Sequence, residues 1–292
     1  LSHKIQRFIV KKFIDKILWK MGFYGPIPTP PVRRNIDGPY VHLHDMARHQ
    51  ATSTLLDGFE FEIPDGFSFY WMHKEIYQDQ AYLFDAQQGA PCIIECGSNY
   101  GVSIIWFKSY YPDAKITGIE ADPKIFNLLS RNLARRNLAD VKLLNRAVSS
   151  KPGHVSFHCL GADSGRIHAE QPDGIASGAD IIKVRTISLD DLIGEDDVDF
   201  LKIDIEGAEL DVISGSTKLN RVKKMFIEYH SFIDTPQQLS RLLAILEGNG
   251  FRYYIDKVYS PETPYLLITS NQGMDLQLRI FATRFPPQLE AV

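Results

Sequence analysis

Four ionisable side chains cluster where two apolar runs stop. The run 198–205 closes into Asp204-Ile205-Glu206-Gly207-Ala208-Glu209, and the next ends in Phe226-Ile227-Glu228-Tyr229-His230. Acids beyond a strand end are costly unless they meet cations or hydrogen-bond donors. Asp204 and Glu206 suit three roles: positioning a cationic group, binding a substrate hydroxyl, or holding a hard ion such as Mg²⁺, with Glu228 as a further ligand. Acids at a helix start also complement its dipole, and this accounts in part for Glu209. Alternation along a strand puts Glu228 and His230 on one face and Tyr229 on the other. A hydroxyl nucleophile benefits from a nearby base, and imidazole titrates near neutral pH. His230, Asp204 and Glu206 are therefore the catalytic candidates.

A second feature precedes these. In Ile93-Ile94-Glu95-Cys96-Gly97-Ser98-Asn99-Tyr100-Gly101 an apolar strand ends in an acid, then a glycine turn, then a helix. In open α/β sheets, ligands bind beyond the carboxyl ends of strands. Glycine lets the backbone approach closely, and a helix start offers free N–H groups. A dinucleotide fingerprint aligned on Gly97 needs glycine where Glu95 and Tyr100 stand, and a pyrophosphate would face a carboxylate. A cationic ligand would find that carboxylate favourable. S-adenosylmethionine carries a sulfonium and an ammonium and no phosphate. Glu120 ends the second strand, 23 residues after Gly97, where an acid accepts both hydrogen bonds of a ribose diol.

Strands and helices must alternate to place these groups, and they do. Strands are predicted at 92–95, 115–120, 141–148, 155–159, 181–187, 198–205, 224–229, 251–255 and 265–269. Helices are predicted at 101–110, 123–137 (opened by Asp122 and Pro123), from about 208, and at 236–249. This alternation predicts an α/β fold, a mostly parallel sheet covered on both faces. The last two strands, with a short connection at 256–264, predict an antiparallel hairpin at one edge. Upstream, Phe59, Phe61 and Ile63 predict a strand before Pro64, and 75–85 reads as helical. The domain reading is an amphipathic helix and Pro-rich linker at 1–31, a cap at 32–89, the main domain at 90–272, and a C-terminal tail at 273–292.

Composition narrows the classes. The chain has 292 residues, 44% hydrophobic and 23% charged, which excludes disordered and fibrous proteins. Its net charge of −4 argues against a dedicated nucleic-acid binder. Three cysteines imply no disulfide framework and fit a reducing, cytoplasmic compartment. No apolar run reaches the roughly 18–20 residues of a membrane span, and no secretory signal is expected. Residues 3–21 form an amphipathic helix with a basic face, suited either to packing on its own domain or a twin subunit in a homo-oligomer, or to peripheral contact with the inner membrane surface. His42, His44, Asp45 and His49 cluster without a zinc spacing. Cys92, Ile94 and Cys96 share a strand face as core. Loop 161–180, with Asp163, Arg166 and His168, suits either a substrate lid or a solvated insertion.

Five motifs carry a family resemblance. They are Glu95-Cys96-Gly97-Ser98-Asn99-Tyr100-Gly101, Gly118-Ile119-Glu120-Ala121-Asp122-Pro123, Asn145-Arg146-Ala147-Val148, Thr186-Ile187-Ser188-Leu189-Asp190-Asp191, and Leu201-Lys202-Ile203-Asp204-Ile205-Glu206-Gly207-Ala208-Glu209. In this order, over about 90–235, the chain resembles the FkbM family of S-adenosylmethionine-dependent methyltransferases. Glu95 departs from the family's usual Asp. The resemblance implies a class I, Rossmann-like seven-stranded sheet with helices on both faces; the N-terminal helical extension, read from the spacing at 3–21, lies outside it. It implies donor contacts from Glu95, Gly97, Asn99, Gly101, Glu120, Asn145, Arg146, Ala147 and Asp204, with the adenine edge at 145–147. It further implies O-methylation of a sugar, polysaccharide or glycosylated natural product. The rival readings are an NAD(P)-dependent oxidoreductase on a similar sheet and a non-catalytic S-adenosylmethionine-binding protein.

Overall fold

The computed structural model describes residues 40–86, 89–159, 165–167, 180–262, 264–265 and 270–284. The expected helix at 3–21, the linker that follows it and most of loop 161–180 lie outside the described residues. Two antiparallel strands come first, β1 (Thr52–Leu56) and β2 (Phe59–Ile63). Asp57 and Gly58 between them both take positive φ, the backbone of a two-residue hairpin turn. Next come β3 (Cys92–Cys96), β4 (Lys115–Glu120), β5 (Lys142–Asn145), β6 (Ala147–Ser149), β7 (His154–Cys159), β8 (Arg166–Ile167) and β9 (Asp180–Ser188). The series closes with β10 (Phe200–Ile203), β11 (Lys224–Phe232), β12 (Arg252–Tyr259) and β13 (Met274–Thr283).

Seven strands form the central sheet in the order β12-β13-β11-β10-β3-β4-β5. The pairs from β11 through β10, β3 and β4 to β5 are parallel, and β13 is antiparallel to both its neighbours. From β3 the chain steps outward through β4 and β5. It then returns to β10 on the other side of β3. Strand order reverses there, so a crevice opens beyond the carboxyl ends of β3 and β10. The strand expected at 141–148 divides at Arg146: β5 stays in the central sheet, while β6 joins a second, four-stranded sheet of order β6-β9-β7-β8.

Two expectations are corrected. Residues 273–292 are not simply a tail, because Met274–Thr283 is an interior strand between β11 and β12. Met274, Leu278, Ile280 and Ala282 are buried at even-numbered positions and alternate with polar Gln277 and Arg279, the pattern of a half-buried strand. The final hairpin therefore pairs β12 with β13 across a longer connection, and Tyr265 stands fully exposed in a turn. The helix expected at 75–85 lies earlier, at Gly66–His73, and continues as a π-turn over Lys74–Gln78. Asp65 sets its start by accepting the Ser68 N–H at 2.8 Å.

Residues 40–86 have no core of their own. Phe61, Phe69, Ile76, Tyr82 and Phe84 join Tyr100, Trp106, Phe107, Phe200 and Phe226 in one cluster on one face of the sheet. Asn132 fixes β2 to this face, its amide donating to the Glu62 carbonyl at 2.9 Å and the Tyr100 carbonyl at 3.0 Å. On the other face Leu201, Ile203, Ile227 and Ile280 pack against Val212 and Ile213 of helix Glu209–Ser214 and Leu242 and Leu246 of helix Leu239–Gly248.

Candidate active site

The glycine turn after β3 is built from left-handed backbone: Gly97, Asn99 and Gly101 have φ of 85°, 47° and 99°. The N–H groups of Gly97 and Ser98 both reach the Ile119 carbonyl, at 3.0 and 2.9 Å, tying the turn to β4. A Cβ at Gly97 would overlap the Asp204 carbonyl oxygen, so glycine here lets β10 approach the turn. Its first role is contact within the protein rather than with a ligand. Glu120 closes the pocket floor. Its Oε2 accepts the Asn99 N–H at 2.9 Å and its Oε1 the Asp122 N–H at 2.8 Å. Burial pushes its carboxyl up to about 7, against the pull of the Asp122 backbone N–H. Each oxygen keeps a lone pair for a further donor. Asp122 caps helix Pro123–Ala134, accepting the Lys124 N–H at 2.7 Å.

The cleft has an empty volume of about 670 Å³, its open mouth included. Of the expected donor-binding residues, Gly97, Asn99, Glu120, Arg146, Ala147 and Asp204 line it. Ile119, Ile125 and Phe157 add apolar walls. These residues fit a nucleoside joined to a cationic amino acid. Glu120 would be the diol acceptor, and the buried Asn99 Oδ1, without a hydrogen-bond partner in the protein, would be an acceptor for an ammonium.

Three residues expected to contact the donor are not among those that line the cleft. Glu95 does not line the cleft; it is 0% exposed and lies 3.9 Å from the Lys202 ammonium. Burial pushes its carboxyl above the usual range, and the Lys202 charge pulls it back. Asn145 spends its amide on the carbonyls of Glu120 at 2.9 Å and Ala121 at 3.1 Å. Gly101 faces inward, where an added Cβ would meet Leu129 and Leu133, each at 2.8 Å.

The acceptor half of the site stands on β10 and β11, which pair directly. Lys202, which stands in the fifth motif but was assigned no role there, holds it together. Its Nζ donates to the Gly97 carbonyl at 2.8 Å and to Asp204 Oδ2 at 3.1 Å. Against the effect of burial, the charges of Asp204 and Glu95 keep this ammonium above its ordinary range. A lysine inside an apolar strand gives little sequence signal, since lysines usually face solvent.

Beyond β10, Glu206 adopts φ 55° and Glu209 turns back under the chain. Glu209 Oε1 accepts the Gly207 N–H at 2.9 Å and meets His230 Nδ1 at 2.9 Å. The other ring nitrogen, Nε2, lies 3.8 Å from Glu206 Oε2 and 4.0 Å from Asp204 Oδ1. Burial opposes charge on this ring, but Glu206 and Glu209 outweigh it and hold the imidazole well above its ordinary range. Glu209 was read in part as a dipole-complementing acid; it is the group that contacts His230 Nδ1. Glu228 shares the His230 face as expected, and Gln277 donates to its Oε1 at 2.5 Å. Burial, then the Asp204 charge, pushes Glu228 well above the usual carboxylate range.

Among the described residues, one group has metal-ligand spacing: Asp204, Glu228 and His230, with ligand atoms within 4.8 Å of one another. Glu206, the third expected ligand, is not in it. His42, His44, Asp45 and His49 form no such group. His44 instead packs on Phe67 and Tyr70, each at 5.0 Å, and meets Asp45 at 2.8 Å. Burial raises the Cys96 thiol to about 12, which suits packing rather than reactivity.

Comparison with known proteins agrees with this geometry. Methyltransferase sdnD of Sordaria araneosa is 27% identical over 69% of this chain and 89% of its own length. Hexuronic acid methyltransferase AglP of Haloferax volcanii is 29% identical over 60% of this chain and 71% of its own. The 2-O-methyltransferase NoeI of Sinorhizobium fredii is 28% identical over 48% and 63%. The methyltransferase FkbM domain matches residues 95–253, more than half of the chain and spanning both the glycine turn and His230. The chain belongs to the FkbM methyltransferase family.

Proposed function

We propose that this methyltransferase uses S-adenosylmethionine to methylate a hydroxyl of a sugar or a sugar-bearing acceptor. The observation that carries the reading is His230, oriented at Nδ1 by Glu209 and presenting Nε2 beside Asp204 and Glu206, next to the cleft that holds Glu120 and Asn99. AglP and NoeI are named for a hexuronic acid and for 2-O-methylation, which supports a hydroxyl of a sugar as acceptor.

When bound, the donor supplies a methyl group on a sulfonium, whose loss leaves a neutral thioether. Glu120 would hold the ribose diol, Asn99 and Asp204 the amino-acid end, and Arg146, Ala147 and Phe157 the base. An acceptor hydroxyl placed against His230 Nε2 gives up its proton there as its oxygen forms the new C–O bond and the S–C bond breaks. The imidazolium so formed is stabilised by Glu209 and Glu206. Alignment does most of the work in such a displacement. A divalent ion on Asp204, Glu228 and His230 is the second reading. Such an ion would take Glu228 and His230 in their deprotonated forms, so its binding would release protons.

A transfer assay with labelled donor against glycosides, polyols and non-sugar alcohols tests the proposal. Methylated glycoside is the expected product; transfer only to non-sugar acceptors, or none, rejects it. Undiminished transfer in excess chelator keeps His230 as base, and loss restored by added ion replaces it with metal.

A further inference from the structure

Residues 40–86 reach the acceptor side at Glu75. Helix Gly66–His73 widens there into the π-turn Lys74–Gln78, a distortion that recurs at functional sites. Ile76 in this turn is buried in the shared core, while Glu75 turns to the sheet. Glu75 Oε1 accepts the Tyr82 hydroxyl at 2.8 Å, and Oε2 lies 3.8 Å from Arg279 Nη1. Strand register sets Glu228, Arg279 and Asp256 side by side across β11, β13 and β12, with Gln277 opposite His230. Glu75 thus stands over a polar row that continues the catalytic residues toward the sheet edge.

The charge balance of this row is acidic. Asp204, Glu206, Glu209, Glu228, Glu75 and Asp256 surround three cations, Lys202, His230 and Arg279. The cations are already committed. Lys202 is held by Asp204 and Gly97, His230 by Glu209, and Arg279 by Asp256 at 2.5 Å and by Glu75. Burial raises the carboxyls of Glu75 and Glu228 above their ordinary range, and the charge of Asp204 adds to the shift in both. Among the described residues of this row acids outnumber cations, and each cation already faces a carboxylate, so a further carboxylate adds like charge, whereas hydroxyl or amino groups find several acceptors.

We propose that Glu75 is a specificity-determining residue of the acceptor subsite, and that this subsite selects an uncharged or amino-bearing polyol over an anionic one. The inference rests on the sugar-hydroxyl reading above and narrows it. It separates this chain from what the name of the hexuronic acid methyltransferase would suggest, since a uronate would add its charge to the row. Glu75 lies outside residues 95–253, so acceptor choice would be carried partly by a segment outside the family domain.

The full chain is assayed with labelled donor on matched methyl pyranosides in neutral, 2-amino and uronate forms. The neutral or amino form is expected to exceed the uronate in kcat/KM by ~10-fold or more, the penalty for like charge in a partly buried site. Glu75→Gln, which keeps the shape and the Tyr82 contact, should narrow that ratio, mainly through KM, with donor affinity and melting temperature unchanged. Preference for the uronate overturns the inference while leaving the sugar reading intact, as does an unaltered ratio in both Glu75→Gln and Glu75→Ala. Methylation of no pyranoside rejects the sugar reading itself, and this inference with it.

Discussion

His230 Nδ1 and Glu209 Oε1 lie 2.9 Å apart, with both side chains 1% exposed. This contact joins the segment after β10 to β11 and leaves Nε2 as the ring nitrogen beside Glu206 and Asp204, two residues that line the cleft. Because neighbouring acids favour the imidazolium, the free base forms only above the ordinary histidine range. Turnover should therefore rise with pH through a limb above 6.5. Glu209→Gln should move that limb toward lower pH and reduce the maximum. His230→Ala should lower turnover by roughly 10²–10⁴, the span typical of general-base removal, and leave donor affinity nearly unchanged. Full activity of His230→Ala between pH 6 and 9 would rule the base out. The same shift has a stability counterpart. The charged, ion-paired ring stabilises the fold fully below pH 6.5 and loses that contribution as pH rises through the folded-state value.

Glu120 titrates in a different window. Its folded carboxyl sits at about 7, raised by burial, whereas the unfolded group sits near 4.5. Ribose hydroxyls need an ionised acceptor, so donor affinity should rise as pH approaches 7 and level off above it. In the donor-free protein the sign is opposite: the proton held at Glu120 favours the folded state below 4.5, and that advantage is lost as pH rises through 7. Calorimetric titration of wild type and Glu120→Gln across this range checks both, and a flat wild-type profile removes Glu120 from the donor site. Glu120→Ala should weaken donor binding by roughly one to two powers of ten, from hydrogen bonds worth about 1.5–3 kcal/mol each before water replaces them.

Gly97→Ala and Gly101→Ala should differ in kind. Both positions have left-handed φ, which costs a non-glycine residue about 1–3 kcal/mol. At Gly97 the added carbon also meets the backbone of Asp204, which cannot move without displacing β10. At Gly101 it meets only the ends of two leucine side chains. Gly97→Ala should therefore show the larger fall in melting temperature and lose donor binding, while Gly101→Ala keeps measurable binding. Equal behaviour would mean that the strand approach is softer than the geometry implies.

Lys202→Met should be the most destabilising single change in the site. It leaves Glu95 buried without its cation, a loss of about 3–5 kcal/mol by analogy with other broken buried pairs. Adding Glu95→Gln should recover a substantial part. Urea unfolding of the two single variants and the double variant measures the coupling, and strict additivity would show that the pair does not interact.

The contrast between Asp204 and Glu95 shows what could be read in advance. Both end apolar strands, and parallel pairing brings both to the crevice edge, so their neighbourhood was legible. Whether a carboxyl points into the cleft or under it depends on one backbone turn, which spacing does not encode. Glu95 turns inward to Lys202, and Asp204 stays at the rim. Lys202 looked like an ordinary strand lysine because nothing local reveals that its partners come from β3. The sheet itself was foreseeable from alternating apolar runs, apart from β13. There Gln277 and Arg279 lie opposite His230 and Glu228 and alternate with Leu276, Leu278 and Ile280, the pattern of a half-buried strand that a search for continuous apolar runs passes over. Glu75 was hidden for a related reason: the π-turn breaks the helical period that would have assigned its face.

The placement of β13 has a consequence for synthesis. The groups opposite His230 and Glu228 come from residues 274–283, a strand that is made after both of the strands it inserts between. Every element of the donor cleft precedes residue 207. A nascent chain thus makes the described lining of its cleft before it makes the strand that faces His230 and Glu228, and the two halves of the candidate site are joined only when that strand inserts.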